Sequence, residues 1–241
     1  MKHQPRRREM TMMLAPGPRE RLHAPVAGLA APAGLGNILR GLLMPPPIEP
    51  PRISAGRAWL VVALWLPYAV LNTLFPGPVL TYGLGLLISL LALALLLLGG
   101  VPLRDCFLRA EHLSWQSGVL LLALSIFIPA VLLLGRGQQF RLLDDLVYAP
   151  ASALGQELFF RSALLVALQR LASGKLGAAL ALQAGCFALW HARAFTVVAV
   201  APALGVLVVT FAAGLLWGVV VVRDRTLLYA AAQHTLFLMV Q

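Results

Sequence analysis

From residue 58 onward the chain repeatedly runs 17 or more residues without a charge, and this recurrence limits its fold more than any other feature. A backbone in hydrocarbon must satisfy its own hydrogen bonds, which only helices and closed barrels achieve. Runs of this length fit a helix crossing a core about 30 Å thick. Composition agrees: 60% of the residues are apolar and 12% charged, against about 45–50% and about 25% in soluble domains. So few charges cannot cover so much apolar surface, and a water-soluble globule is excluded. The expected fold is all-α, a polytopic membrane helix bundle of about seven spans: 58–75, 78–98, 118–134, 146–168, 177–192, 195–222 and 226–241. Gly77, between Pro76 and Pro78, marks a tight turn between the first two. Pro202 is expected to kink the sixth or split off a short leading piece.

Residues 1–57 read as a separate unit, a disordered, basic, Pro-rich cytoplasmic tail ahead of a membrane-embedded domain over 58–241. The tail holds ten of the seventeen prolines and nine of the nineteen Lys and Arg, and no apolar run long enough to span a bilayer. The formal net charge of +10 is distributed as a topology signal. With the N-terminus inside, fifteen Lys and Arg fall on the inner side and three on the outer, Arg136, Arg141 and Arg193, as cytoplasmic loops require. No basic stripe alternates with aromatic residues, so nucleic acid is not an expected partner. Cys106 and Cys186 lack metal-ligand spacing and read as packing.

Ionisable groups at membrane depth are costly and mark function by default. The fourth span carries Gln156-Glu157-Leu158-Phe159-Phe160-Arg161, the fifth ends Phe187-Ala188-Leu189-Trp190-His191, and the seventh contains Gln233-His234. Glu157 and Arg161, four apart, share a helix face and can pair. At 1.5 Å rise per residue, Glu157, His191 and His234 lie roughly 14, 21 and 12 Å above the inner surface. Three helices therefore deliver one carboxylate and two imidazoles to the middle band of the bilayer. A carboxylate in apolar surroundings is a stronger base; beside a histidine it can activate water, while a second histidine hydrogen-bonds the developing oxyanion. The same trio also suits zinc ligation or a proton relay. Against zinc, no HExxH occurs and the ligands come singly from three helices.

The order Glu-x-x-x-Arg, Phe-x-x-x-His and a last-helix His after a Gly-rich span resembles the CAAX prenyl protease and bacteriocin-processing family, glutamic-type intramembrane proteases. The resemblance covers about residues 145–241. Within it Glu157 and Arg161 correspond to the second Glu and the Arg of the Glu-Glu-x-x-x-Arg motif, while Gln156 stands where the family has its first Glu. Phe187 and His191 match the second motif and His234 the third, whose usual polar partner is here Leu238. For Glu157 to replace the first carboxylate, the helix must turn by roughly 100° or rearrange locally.

The resemblance implies a metal-independent intramembrane endopeptidase without cofactor. Its catalytic residues would be Glu157, His191 and His234, supported by Gln156, Arg161 and Phe187. Glu157 and His191 would activate water, His234 would polarise the carbonyl, and Arg161 would orient Glu157. Expected partners are the lipid bilayer and a peptide or protein with a membrane-associated segment, such as a C-terminal sorting tail cut in the myxosortase manner. The expected location is a bacterial inner membrane. Two alternatives stay open: a non-catalytic immunity or binding protein of the same fold, favoured by Gln156 and Leu238, and a proton-coupled transporter.

Overall fold

The computed structural model describes residues 49, 51–75, 78–109, 114–123 and 144–239. The tail over 1–48, the turn at Gly77 and residues 124–134 of the expected third span lie outside the described residues. Within them the chain is helical, and the only bridge of β type joins Leu108 to Thr226. Among the described residues a helix stands at each of the seven expected spans, the third only in its first part: α1 (Ala55–Leu74), α2 (Pro78–Leu97), α3 (115–123), α4 (Leu146–Leu171), α5 (Leu176–Trp190), α6 (Val200–Asp224) and α7 (Leu228–Leu238). Among the described residues α1, α4 and α6 are long and apolar enough to cross a membrane by length and composition.

The prolines act where backbone chemistry says they must. Helix α1 is interrupted at Leu64, because Pro67 has no N–H to offer the carbonyl of Ala63 four residues back. The stretch expected as one sixth span divides into a short Ala194–Val197 helix and α6. Pro202 sits in the first turn of α6, where a backbone N–H would have no helical partner in any case.

Helix α4 is the central rod. In its apolar stretch 89% of the residues are buried, against 17% for α1 and 33% for α6. Helices α1, α2, α5 and α7 all pack on it, so its side chains meet protein where those of α6 largely meet the exterior. It is not a regular α-helix. Asp144–Tyr148 and Leu158–Leu164 are π-helical, and Ala149–Glu157 lies between them. Each π turn inserts a residue, and one inserted residue rotates the rest of the helix by about 100°.

Polar cross-ties fix the surrounding helices. Ser89 Oγ lies 2.8 Å from the Gly155 carbonyl, joining α2 to α4. Trp65 donates to the Cys186 carbonyl at 3.1 Å and Asn72 to the Trp190 carbonyl at 2.8 Å. The Trp190 carbonyl is one of the last four of α5, which have no helical donors, and the Cys186 carbonyl lies one turn earlier. At the C-terminal end of α6, Arg223 reaches Ser117 Oγ at 2.7 Å, also bonds Ser114, and lies 3.2 Å from Asp224. The Leu227 amide bonds the Phe107 carbonyl at 3.0 Å nearby. Burial pushes the Cys106 thiol up to about 12, keeping it protonated, as suits a packing residue.

Helices α5 and α6 meet most closely, through glycine. A Cβ at Gly214 would stand 3.1 Å from Ala184 Cα, and one at Gly218 would stand 2.8 Å from Leu180 Cδ2. These two glycines flank Trp217 and let α6 approach α5. Replacing Gly214 by Val is expected to cost about 1–3 kcal/mol by overpacking, seen as a lower unfolding temperature in detergent. Gly205→Ala, whose Cβ meets nothing within 4 Å, should leave that temperature unchanged or higher.

Candidate active site

Glu157 is the last residue of the α-helical segment of α4, directly before the second π segment. It is wholly buried, and its Oε1 lies 2.7 Å from His234 Nδ1 on α7. The same oxygen is 3.3 Å from Arg161 Nη1. The carboxylate thus meets one partner along its own helix and one across an interface. Oε2 has no hydrogen-bond partner among the described residues.

Arg161 is equally buried, and rings take the place of most hydrogen-bond acceptors around it. Its guanidinium carbon lies 4.0 Å from the centre of the Phe187 ring and 5.0 Å from that of Trp217. A guanidinium is weakly hydrated and stacks well on aromatic faces, which makes it the cation best suited to such a cage. Trp217 in turn stacks on His234, with ring centres 4.4 Å apart and planes 26° from parallel. A single aromatic layer therefore spans from the ion pair to the imidazole.

His191 stands in the short 3₁₀ turn after α5. Its Nδ1 is 2.9 Å from the Phe187 carbonyl, and its ring lies against Phe187 and Trp190. Asn72, by holding the Trp190 carbonyl, anchors the turn from which His191 projects. Phe187 therefore serves both sides of the site: its ring covers Arg161 and its carbonyl holds His191.

His191 and His234 line one cavity of about 280 Å³ between the end of α5, α6 and α7, together with Thr210, Trp217, Gln233 and Leu238. Its wall is otherwise apolar. Neither Glu157 nor Gln156 is among the lining residues. Gln156 is buried and donates to Ser152 Oγ at 2.9 Å. The structure thus joins Glu157 directly to His234, and His191 joins the group through the shared cavity rather than through contact with Glu157. Trp217 and Asn72 enter the site without having been singled out in the sequence, and Gln233, which the sequence places beside His234, enters it as a cavity-wall residue. The lone amide of Asn72 in an apolar run was a signal that could have found it; Trp217 carried none, since an indole in an apolar helix reads as packing.

The fold and these residues define an integral membrane helix bundle with a buried acid–histidine pair beside an apolar cavity. Residues 138–240 match the Rce1-like family, described as type II CAAX prenyl endopeptidase Rce1-like. All three motifs lie in that stretch, and the match is to the same CAAX-protease family that they resemble. At the level of that family the activity is that of an intramembrane endopeptidase acting on a membrane-associated protein. Neither the curated proteins nor the solved structures contain a match to the chain.

Removing one partner of a buried ion pair leaves the other charge uncompensated, at a cost of about 3–5 kcal/mol. Arg161→Met should destabilise the protein by this amount in reversible unfolding in mixed micelles. Combining it with Glu157→Gln should recover a large part of the loss, a non-additivity that a mere loss of packing would not give.

Proposed function

We propose that this chain is an intramembrane endopeptidase in which Glu157 and His234 act as a dyad. The reading rests on one observation, the 2.7 Å contact between Glu157 Oε1 and His234 Nδ1 with the His234 ring exposed to the cavity. A carboxylate on Nδ1 holds the imidazole in the tautomer whose Nε2 carries a lone pair, and stabilises the imidazolium once a proton arrives. His234 then takes a proton from water as the water oxygen attacks the peptide carbonyl carbon. The tetrahedral intermediate collapses with cleavage of the C–N bond, and His234 returns the proton to the leaving amine. His191 is a second acceptor that orients the water. Arg161 balances the charge of Glu157 within its aromatic cage.

This assignment differs from the one implied by the motif order, in which Glu157 and His191 activate water and His234 polarises the carbonyl. The burial of Glu157 behind His234 supports the exchange, because a carboxylate off the cavity reaches water only through the imidazole. The substrate is a protein segment associated with the membrane, and a C-terminal sorting tail suits a site in the middle band. We place residues 58–241 in a bacterial inner membrane with the N-terminus and the basic segment 1–57 on the cytoplasmic side.

A second reading, a non-catalytic binding protein of the same fold, draws support from Gln156, which cannot serve as a base. Reconstitution with a library of single-span peptides, with products read by mass spectrometry, separates the two. In the dyad reading Glu157→Gln lowers the rate by about 10⁴, as expected when the tautomer is lost, and His191→Ala lowers it by about 10²–10⁴. Gln156→Ala stays within about tenfold of the parent, since no step in the dyad scheme uses that side chain. Cleavage that survives Glu157→Gln would remove the dyad. Cleavage that appears only after Gln156→Glu would favour the non-catalytic reading.

A further inference from the structure

We propose that Gln233 donates the hydrogen bond that stabilises the oxyanion, and that Trp217 is the positioning residue that turns its amide toward the cavity. The inference rests on the peptidase reading and comes from the number of N–H groups the site can offer. His191 Nδ1 faces the Phe187 carbonyl at 2.9 Å, and a carbonyl only accepts, so the proton is on Nδ1. His234 Nδ1 faces a carboxylate oxygen at 2.7 Å and carries its proton for the same reason. A neutral imidazole has one N–H, so both rings present an unprotonated Nε2. The two histidines can accept the water's protons, but before proton transfer neither has a second N–H to offer a developing oxyanion.

The remaining polar groups of the cavity wall are few. Thr210 donates its hydroxyl proton to the Val206 carbonyl at 2.8 Å. Leu238 has no donor in its side chain. Thr235 donates to the Ala231 carbonyl and is not part of the wall. Gln233 is different. Its Oε1 accepts a hydrogen bond from Trp217 Nε1, and an indole N–H can only donate. The oxygen end of the amide is thereby fixed, and the NH₂ end, which has no hydrogen bond among the described residues, belongs to a residue that lines the cavity beside His234. Trp217 is itself held, with Arg161 over its face and His234 stacked on it.

The test uses full-length protein in nanodiscs and two tetraleucine analogues differing at the central amide. One carries a phosphinate, tetrahedral and anionic like the intermediate; the other carries a planar ketomethylene. The parent protein should bind the phosphinate at least 100-fold more tightly. Gln233→Leu and Gln233→Glu should each reduce that preference by about 10²–10³, the effect of one oxyanion donor, with ketomethylene binding unchanged. Trp217→Phe, which keeps a ring and removes the indole N–H, should reduce it about tenfold, and Trp217→Phe with Gln233→Leu should match Gln233→Leu alone. Should Gln233→Leu prove unstable, the Gln233→Glu and Trp217→Phe results decide. A preference retained in these variants overturns the role of Gln233 and leaves the peptidase reading intact. No phosphinate preference in the parent protein overturns both.

Discussion

A charge buried in the middle of a membrane protein has to be answered by its neighbours, and here the answer is shared among four helices, α4, α5, α6 and α7. Glu157 meets Arg161 one turn along α4 and His234 across to α7. Neither contact would suffice alone. The pair on α4 neutralises charge but leaves a guanidinium with donors to spare, and the rings of Phe187 and Trp217 compensate by offering their faces. Because the cage is built from α5 and α6, the ion pair fixes the distance of both helices from α4. The close α5–α6 approach at Gly214 and Gly218 is the backbone side of the same constraint. Anything bulkier there would carry Trp217 away from the guanidinium and the imidazole together.

The irregular winding of α4 belongs to the same arrangement. A regular helix sets neighbouring residues about 100° apart, so Gln156 and Glu157 cannot both address α7. The segment carrying them sits between two π segments, a geometry that changes its rotational phase relative to the ends of the rod. With this phase Glu157 addresses His234, and Gln156 closes a local bond to Ser152. π segments are rare and concentrate at functional sites. Here the irregularity does definable work, choosing which of two adjacent side chains faces the interface.

Much of the fold was legible in the sequence because hydropathy and length act along the helix axis. Among the described residues, apolar runs located six of the helices to within a few residues and the start of the third, and Pro202 announced the division before α6. The rise per residue brought Glu157 and His234 to similar depths, roughly 14 and 12 Å, and the two are in contact. Azimuth was less accessible. Depth arithmetic cannot say which imidazole a carboxylate meets, since that depends on the rotation of each rod, and rotation here depends on π turns with no local sequence signature. Hence the direct partner of Glu157 is His234, while His191 is reached only through the cavity. The break at Leu64 could have been read from Pro67; the role of Trp217 could not, since an indole in an apolar helix looks like packing until its neighbours are known.

The separation of acid from cavity has a consequence for how such a site can work. A carboxylate that opened directly onto the cavity would be hydrated, and the apolar wall would have to admit enough water to solvate it. With the imidazole interposed, the charge stays behind Trp217 and His234, and the cavity need present only neutral groups: two ring nitrogens that accept and one amide that donates. A peptide segment in this cavity would meet no charged side chain in its wall. Charge appears only when the imidazole takes its proton, and at that moment Glu157 is already in hydrogen-bond contact with the opposite edge of the ring. A preorganised arrangement of this kind favours the charged transition state over the neutral ground state, which a hydrated carboxylate in the same place would do less well.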